Sequence, residues 1–183
     1  MNESSKATNA IVTAPSAPAA PGGQDPAQYL TFALGAEAYA IGILHIKEII
    51  QYGTPTTVPM MPDFVRGVIN LRGAVVPVID LASRFGGPLS KITRRTCIVI
   101  VELHLPHGET RVLGAVVDVV NAVLEIAPGD IEPAPGFGTR LRTDFIAGMA
   151  KVDGRFVILL DIDRVLSMDE MAALSGAGEA AAV

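Results

Sequence analysis

Few side chains of this 183-residue chain could bind a metal or attack a substrate: three histidines, one cysteine and scattered carboxylates. His104 and His107 stand three apart as His-Leu-Pro-His, a spacing that can begin a metal site, but no cysteine or third histidine lies near them. His45 stands alone on a strand or its edge, where an imidazole packs or faces solvent more often than it catalyses. Cys97 has no histidine or asparagine companion and sits in an Ile-Val-Ile run, so it reads as a buried apolar residue rather than a nucleophile. Asp161 and Asp163 are better explained by helix capping and a solvated helix face than by acid/base work. Asp118, Asn121 and Glu125 lack calcium-loop spacing. Gly136-Phe137-Gly138 lacks the third glycine and the preceding strand of a dinucleotide fingerprint, and no phosphate-binding loop is present. No catalytic constellation emerges and no cofactor is implied. The residues favour a binding module over an enzyme.

Arginine is the more specific signal. Residues 65–80 read VRGVINLRGAVVPVID, mostly the β-branched material of a buried strand pair, yet they carry two Arg-Gly steps, Arg66-Gly67 and Arg72-Gly73. The stretch recurs 81 residues later. DFVRGVINLRGAVVPVID (63–80) aligns with DFIAGMAKVDGRFVILLD (144–161), with identities at Asp63/Asp144, Phe64/Phe145, Gly67/Gly148, Gly73/Gly154, Val76/Val157 and Asp80/Asp161. Composition alone would give about one match. Gly73 and Gly154 sit between strands, where a hairpin turn needs positive φ, and the shared aspartates sit where a strand gives way to a helix. The arginines are not shared: Arg66 aligns with Ala147 and Arg72 with Asp153. Asp-Gly serves such a turn at least as well as Arg-Gly, so Arg72 is present for something other than turn geometry. Two readings stay open for it: a solvated arginine on a hairpin tip, or an exposed anchor rimmed by apolar surface, a type enriched at protein interfaces. Arg66 is left undecided, a solvated strand-end charge being the simplest reading.

The elements that must position these residues are short strands. Expected strands cover 29–34, 39–43, 67–71, 74–79, 96–103, 111–117, 122–126, 146–152 and 155–160, with Val and Ile dominant. Helical signal is confined to 80–85, 161–166 and a turn or two at 168–174. The chain therefore reads as one β unit used twice, roughly 28–85 and 95–166. A unit of about 60 to 70 residues buries only about 60% of its unfolded surface, so two such units should share a core.

Composition removes several function classes. Net charge is −5, and no Lys/Arg cluster exceeds Arg94-Arg95, which argues against nucleic acid as a partner. A single cysteine excludes an intrachain disulfide and fits a reducing compartment. Mean hydropathy is high at +0.43, but apolar runs break long before the roughly 18 residues of a membrane span, so direct membrane insertion is not expected. Residues 1–26 are Ala, Pro, Ser and Gly without an apolar h-region and read as a disordered tail.

At this point the residues resemble a family. GVINLRGAVVPVIDL (67–81), preceded by GILHIKEII (42–50) and followed by RTCIVIV (95–101), GAVVDVVNAVLEI (114–126) and FVILLDIDRVL (156–166), is similar to the CheW chemotaxis coupling proteins over about residues 28–174. The resemblance implies an all-β fold of two small SH3-like five-stranded β-barrels on a shared hydrophobic core, with short helices. It implies a first barrel over roughly 28–90, a second over roughly 91–145, residues 146–167 packing back onto the whole, and a short helix and frayed tail at 168–183. It implies a cytoplasmic, non-enzymatic adaptor that joins the cytoplasmic tip of methyl-accepting chemoreceptors to the regulatory domain of a CheA-type histidine kinase. Arg72 matches the arginine of the family's NLRG turn. Glu48 and Ile46 match its V-x-E-I segment, with Ile46 in the valine's place. Gly67 opens the strand before NLRG, Val123 lies in the 120–125 segment that faces the receptor, and Cys97 stands where a β-branched residue is commoner. Departures are Ala40-Ile41-Gly42 for Gly-Ile-Asp and the Leu-Pro-His loop at 105–107. A related receptor-kinase pathway such as surface motility, or a small-ligand β-barrel, is the alternative; filled barrel interiors would eliminate the latter.

Overall fold

The computed structural model of the chain describes residues 25–134 and 143–167. The expected helix at 168–174, most of the 1–26 tail and the Gly136-Gly138 motif lie outside the described residues. The elements in chain order are β1 (Ala27–Leu34), β2 (Glu37–Gly42), β3 (Ile46–Gln51), β4 (Val65–Leu71), β5 (Ala74–Asp80), α1 (Leu81–Arg84), β6 (Cys97–His104), β7 (Thr110–Val117), β8 (Val119–Ile126), β9 (Ile131–Glu132), β10 (Ile146–Val152), β11 (Arg155–Leu160) and α2 (Ile162–Val165).

The repeat is a structural unit. Leu71 pairs with Ala74 and Val152 with Arg155, so β4–β5 and β10–β11 are closed by two-residue turns. Arg72 and Gly73 have φ of 52° and 86°, Asp153 and Gly154 50° and 79°, the geometry whose twist matches the flanking strands. Asp80 then accepts the Ser83 amide at 3.1 Å and Asp161 the Arg164 amide at 3.3 Å, each capping a one-turn helix. Gly67 and Gly148 mark a bulge in β4 and in β10. A Cβ on Gly67 would strike the Thr56 carbonyl, and one on Gly148 the side chain of Ile131, so each glycine admits the segment that crosses onto its strand.

Sheet membership does not follow chain order. One sheet runs β3-β6-β7-β5-β4 and the other β8-β1-β2-β11-β10-β9. The division at residue 90 is therefore not a division by barrel, because β1 and β2 lie with the strands of the second half while β6 and β7 lie with those of the first. In each sheet a hairpin from one copy of the repeat is inserted between strands of the other, with β5 parallel to β7 and β11 parallel to β2. Each sheet then closes on itself. Thr56, beyond β3 on one edge, bridges Val68 of β4 on the other, and β9, beyond β8, pairs with β10.

Three apolar cores result. Val76, Val78, Ile98, Ile100 and Val116 fill the five-stranded barrel, and Ala40, Ile126, Ala150, Val157 and Leu159 fill the six-stranded one. The largest lies between them and takes the alternate residues of the same strands, among them Phe32, Ile41, Val99, Val101 and Leu113, together with Phe145 from the turn before β10 and Leu166 from the end of α2. Both interiors are occupied by aliphatic side chains, which removes a ligand inside either barrel. Tyr39 stacks on Phe32 at 6.1 Å, and burial, then the Glu37 carboxylate, raises its phenol above the ordinary value. At the junction Arg84 donates from Nε to the Val165 carbonyl at 2.9 Å and lies 5.2 Å from the Phe64 ring and 4.8 Å from that of Phe145, gripping both copies.

Arg66, undecided from the sequence, is not a solvated charge. Its side chain is only 16% exposed and pairs at 2.8 Å with Asp80, which is fully buried. Arg66 also donates to the Ser90 carbonyl, while the Ser90 amide donates to Asp80 at 3.0 Å. Arg66 is thus the countercharge of a buried carboxylate and fixes the strap that follows α1. The second copy tolerates Ala147 because Asp161 remains partly exposed and pairs with Arg164 at 3.6 Å instead.

Candidate functional site

The site begins with strand β3, which sequence patterning alone does not show. IKEIIQ alternates two charges among its apolar residues and reads as neither a clean helix face nor a buried strand. In the structure it is an edge strand paired with β6, with a bulge between Ile46 and Glu48. Barrel closure carries the other edge round to it, so the β4–β5 turn stands over β3. There Arg72 Nη1 lies 2.9 Å from Glu48 Oε2.

Magnitudes decide what this pair is for. Arg72 is 78% exposed, and an exposed ion pair contributes about 0 to 1 kcal/mol. A non-glycine residue in the left-handed region costs about 1 kcal/mol or more. The two offset each other, so Arg72 adds little to stability. What it supplies is a guanidinium held at a fixed place by a partly buried carboxylate, with donor capacity left for a partner.

The pseudo-symmetry supplies an internal control. β8 carries the same bulge against β1, which puts Ala122 in the register position of Glu48 and Val123 in that of Ile49. Asp153 stands for Arg72. The second barrel therefore has the turn and the bulge without the ion pair. The apolar surroundings are kept: Ile49 and Val75 are exposed, and so are their counterparts Val123 and Phe156. Ile49 and Val75 point away from the barrel interior, since their neighbours Ile50 and Val76 pack into it. Apolar ground is common to both barrels, and the Arg72–Glu48 pair belongs to one.

The six residues singled out from sequence do not form one patch. Glu48 and Arg72 meet; Ile46, two residues before Glu48, packs against the shared core. Gly67 is buried beneath Thr56 and shapes the fold without offering a contact surface. Cys97 begins β6 opposite Gln51 of β3 and is only partly buried, its thiol donating to the Arg95 carbonyl at 3.4 Å, where sequence suggested a buried apolar residue. Val123 lies on the other sheet, half exposed at 49%. Sequence reasoning missed Ile49, Val75 and Phe156. Strict alternation with buried neighbours was the signal that could have found them.

The remaining candidates for chemistry stay apart. His45 occupies a 3₁₀ turn before β3, with its ring 6.5 Å from that of His104 at the end of β6. Among the described residues no three His, Cys, Asp or Glu side chains converge in a way that could hold a metal. Asp161 serves as a cap, and Asp118 Oδ2 accepts the Gly35 amide at 2.7 Å in the β1–β2 turn. No helix among the described residues is long and apolar enough to cross a membrane.

Comparison with known proteins agrees with this architecture. Residues 28–170 match the family described as the CheW-like domain. The chain is 40% identical over 145 residues to chemotaxis protein CheW of Klebsiella aerogenes, covering 79% of this chain and 84% of that one. It is 35% identical over 141 residues to chemotaxis protein CheW of Bacillus subtilis, covering 76% and 86%. The crystal structure of the scaffolding protein TtCheW from Thermoanaerobacter tengcongensis superposes with a TM-score of 0.70 at 33% identity, covering 80% of this chain and 91% of that one. With its paired SH3-like barrels and its NLRG turn, the chain belongs to the CheW family.

Proposed function

We propose that the protein is a chemotaxis coupling adaptor, without enzymatic activity, that joins the cytoplasmic tip of methyl-accepting chemoreceptors to the regulatory domain of a CheA-type histidine kinase. It would act in the cytoplasm at receptor arrays. The observation that carries this reading is the exposed Arg72–Glu48 pair, present in one barrel and missing from its counterpart, on a turn whose geometry does not call for arginine. A charge of this kind fixes register and discriminates partners more than it supplies bulk affinity, and the apolar residues beside it supply contact area. Affinity for a single partner can then be moderate, because simultaneous engagement of two partners multiplies it.

The test is receptor-dependent activation of kinase autophosphorylation in a reconstituted mixture of receptor-bearing membranes, kinase and this protein. Arg72→Ala is expected to remain folded and to lower activation at least tenfold. Unchanged activation would remove Arg72 from the contact. Pull-downs of receptor and kinase scored separately with the same variant then assign the face: loss of one partner alone names its occupant.

A further inference from the structure

Only three non-glycine residues among those described have positive φ: Asp153, Arg72 and Met60. Asp153 suits its turn, and Arg72 is held by Glu48. Met60, at φ 62°, has neither explanation, since asparagine, aspartate or glycine takes this conformation more readily than a long unbranched side chain. It is also 73% exposed, and Met61 beside it is 44% exposed. Pro59 and Pro62 bracket the two, and the chain on either side is anchored, by the Thr56–Val68 bridge before and by the Val65 amide on the Pro62 carbonyl at 2.9 Å after. The loop is thus a stiff mount that displays two thioethers to solvent. Met149, the remaining methionine among the described residues, is partly buried and packs against the shared core.

We propose that Met60 and Met61 form an oxidation-responsive site at which peroxide converts exposed thioethers to sulfoxides and thereby weakens coupling. The sulfur lone pair attacks one peroxide oxygen and an S–O bond forms as the O–O bond breaks; the departing hydroxide then takes the proton carried by the transferred oxygen, leaving neutral sulfoxide and water. The methionine sulfur is oxidised by two electrons and the peroxide is reduced by two. Each product side chain is polar and accepts hydrogen bonds, so an apolar tip suited to adaptable contact becomes a hydrated one. The fold is spared, since neither side chain belongs to a core. Methionine sulfoxide reductases restore the thioether, which makes the change reversible. The consequence for coupling rests on the adaptor reading above; the modification itself does not.

The experiment treats the full chain with dilute hydrogen peroxide and follows each methionine by peptide mass. Met60 and Met61 are expected to gain one oxygen at least tenfold faster than Met149, with the thermal unfolding midpoint unchanged. Treated and untreated samples then enter the receptor–kinase activation assay, each protein scored against its own untreated sample. The ratio is expected to fall at least threefold for the native sequence, to return after incubation with both sulfoxide reductases, and to stay near one for Met60→Leu/Met61→Leu. Oxidation of Met149 as fast as the pair, or a ratio near one for fully oxidised native protein, overturns the proposal. Failure of the untreated protein to activate kinase overturns the adaptor reading instead, and the mass data still stand.

Discussion

At the scale of single residues, the two copies of the repeat separate what folding needs from what it does not. Gly67, Gly73 and Asp80 have counterparts that do the same work at Gly148, Gly154 and Asp161. Arg72 and Glu48 have counterparts, Asp153 and Ala122, that do not. Arg72→Asn should accordingly keep the turn, because asparagine accepts positive φ, and should shift stability in urea by less than about 0.5 kcal/mol while receptor-dependent kinase activation collapses. A loss of more than about 1 kcal/mol would make Arg72 a fold residue. Gly67→Ala is the contrasting case: the new methyl meets the Thr56 backbone, which cannot turn aside as a side chain can, and about 3 kcal/mol of stability should be lost. Denaturant midpoints with unchanged slopes would verify it. Arg72 was legible from sequence because its turn partner was visible beside it and its counterpart 81 residues on. Arg66 was not, because its meaning depends on Ser90, 24 residues away in a strap without periodicity.

At the scale of elements, legibility followed burial. The largely apolar strands β5, β6 and β11 were placed within a residue or so. β3 was overlooked and β8 was begun three residues late, both at sheet edges where bulges and charges break the alternation. Those irregular edges are what carry Glu48, Ile49 and Val123, so pattern reading was weakest where the surface is most distinctive. The strap after α1 behaves as a further element, held by one buried network. Asp80 receives Arg66, the Ser83 amide and the Ser90 amide, and it is fully buried. Arg66→Ala leaves that carboxylate without its countercharge, which should cost about 3 to 5 kcal/mol. Amide exchange should accelerate from 86 to 93 before it does in β6. Uniform acceleration across both barrels would show instead that the network holds the whole molecule and not the strap.

At the scale of the molecule, the governing fact is that neither half of the chain contains a barrel. Each closed sheet needs β1 and β2, or β6 and β7, from the other copy of the repeat, joined through parallel pairing to β11 or β5. The repeat in the sequence marks the unit of duplication. The unit of packing is different, and no local pattern could reveal it, since exchange of a hairpin leaves every strand's own periodicity intact. This exchange also explains why an adaptor built from two small barrels can be rigid. The two halves of the chain cannot separate without breaking both sheets, and the two barrels cannot separate without exposing the core they share or stretching the short connections from β2 to β3 and from β7 to β8. The arrangement predicts how the chain divides. Fragments 1–90 and 91–183, made separately, should each lack a cooperative thermal transition, because each keeps a hairpin whose partners are in the other fragment and leaves the shared core half built. Mixed together, they should regain one, with a midpoint that rises with concentration because folding has become bimolecular. Circular dichroism melts of each fragment and of the mixture at two concentrations measure this. A cooperative transition in either fragment alone would show that a hairpin can close within its own half, and would refute the exchanged arrangement as the basis of stability.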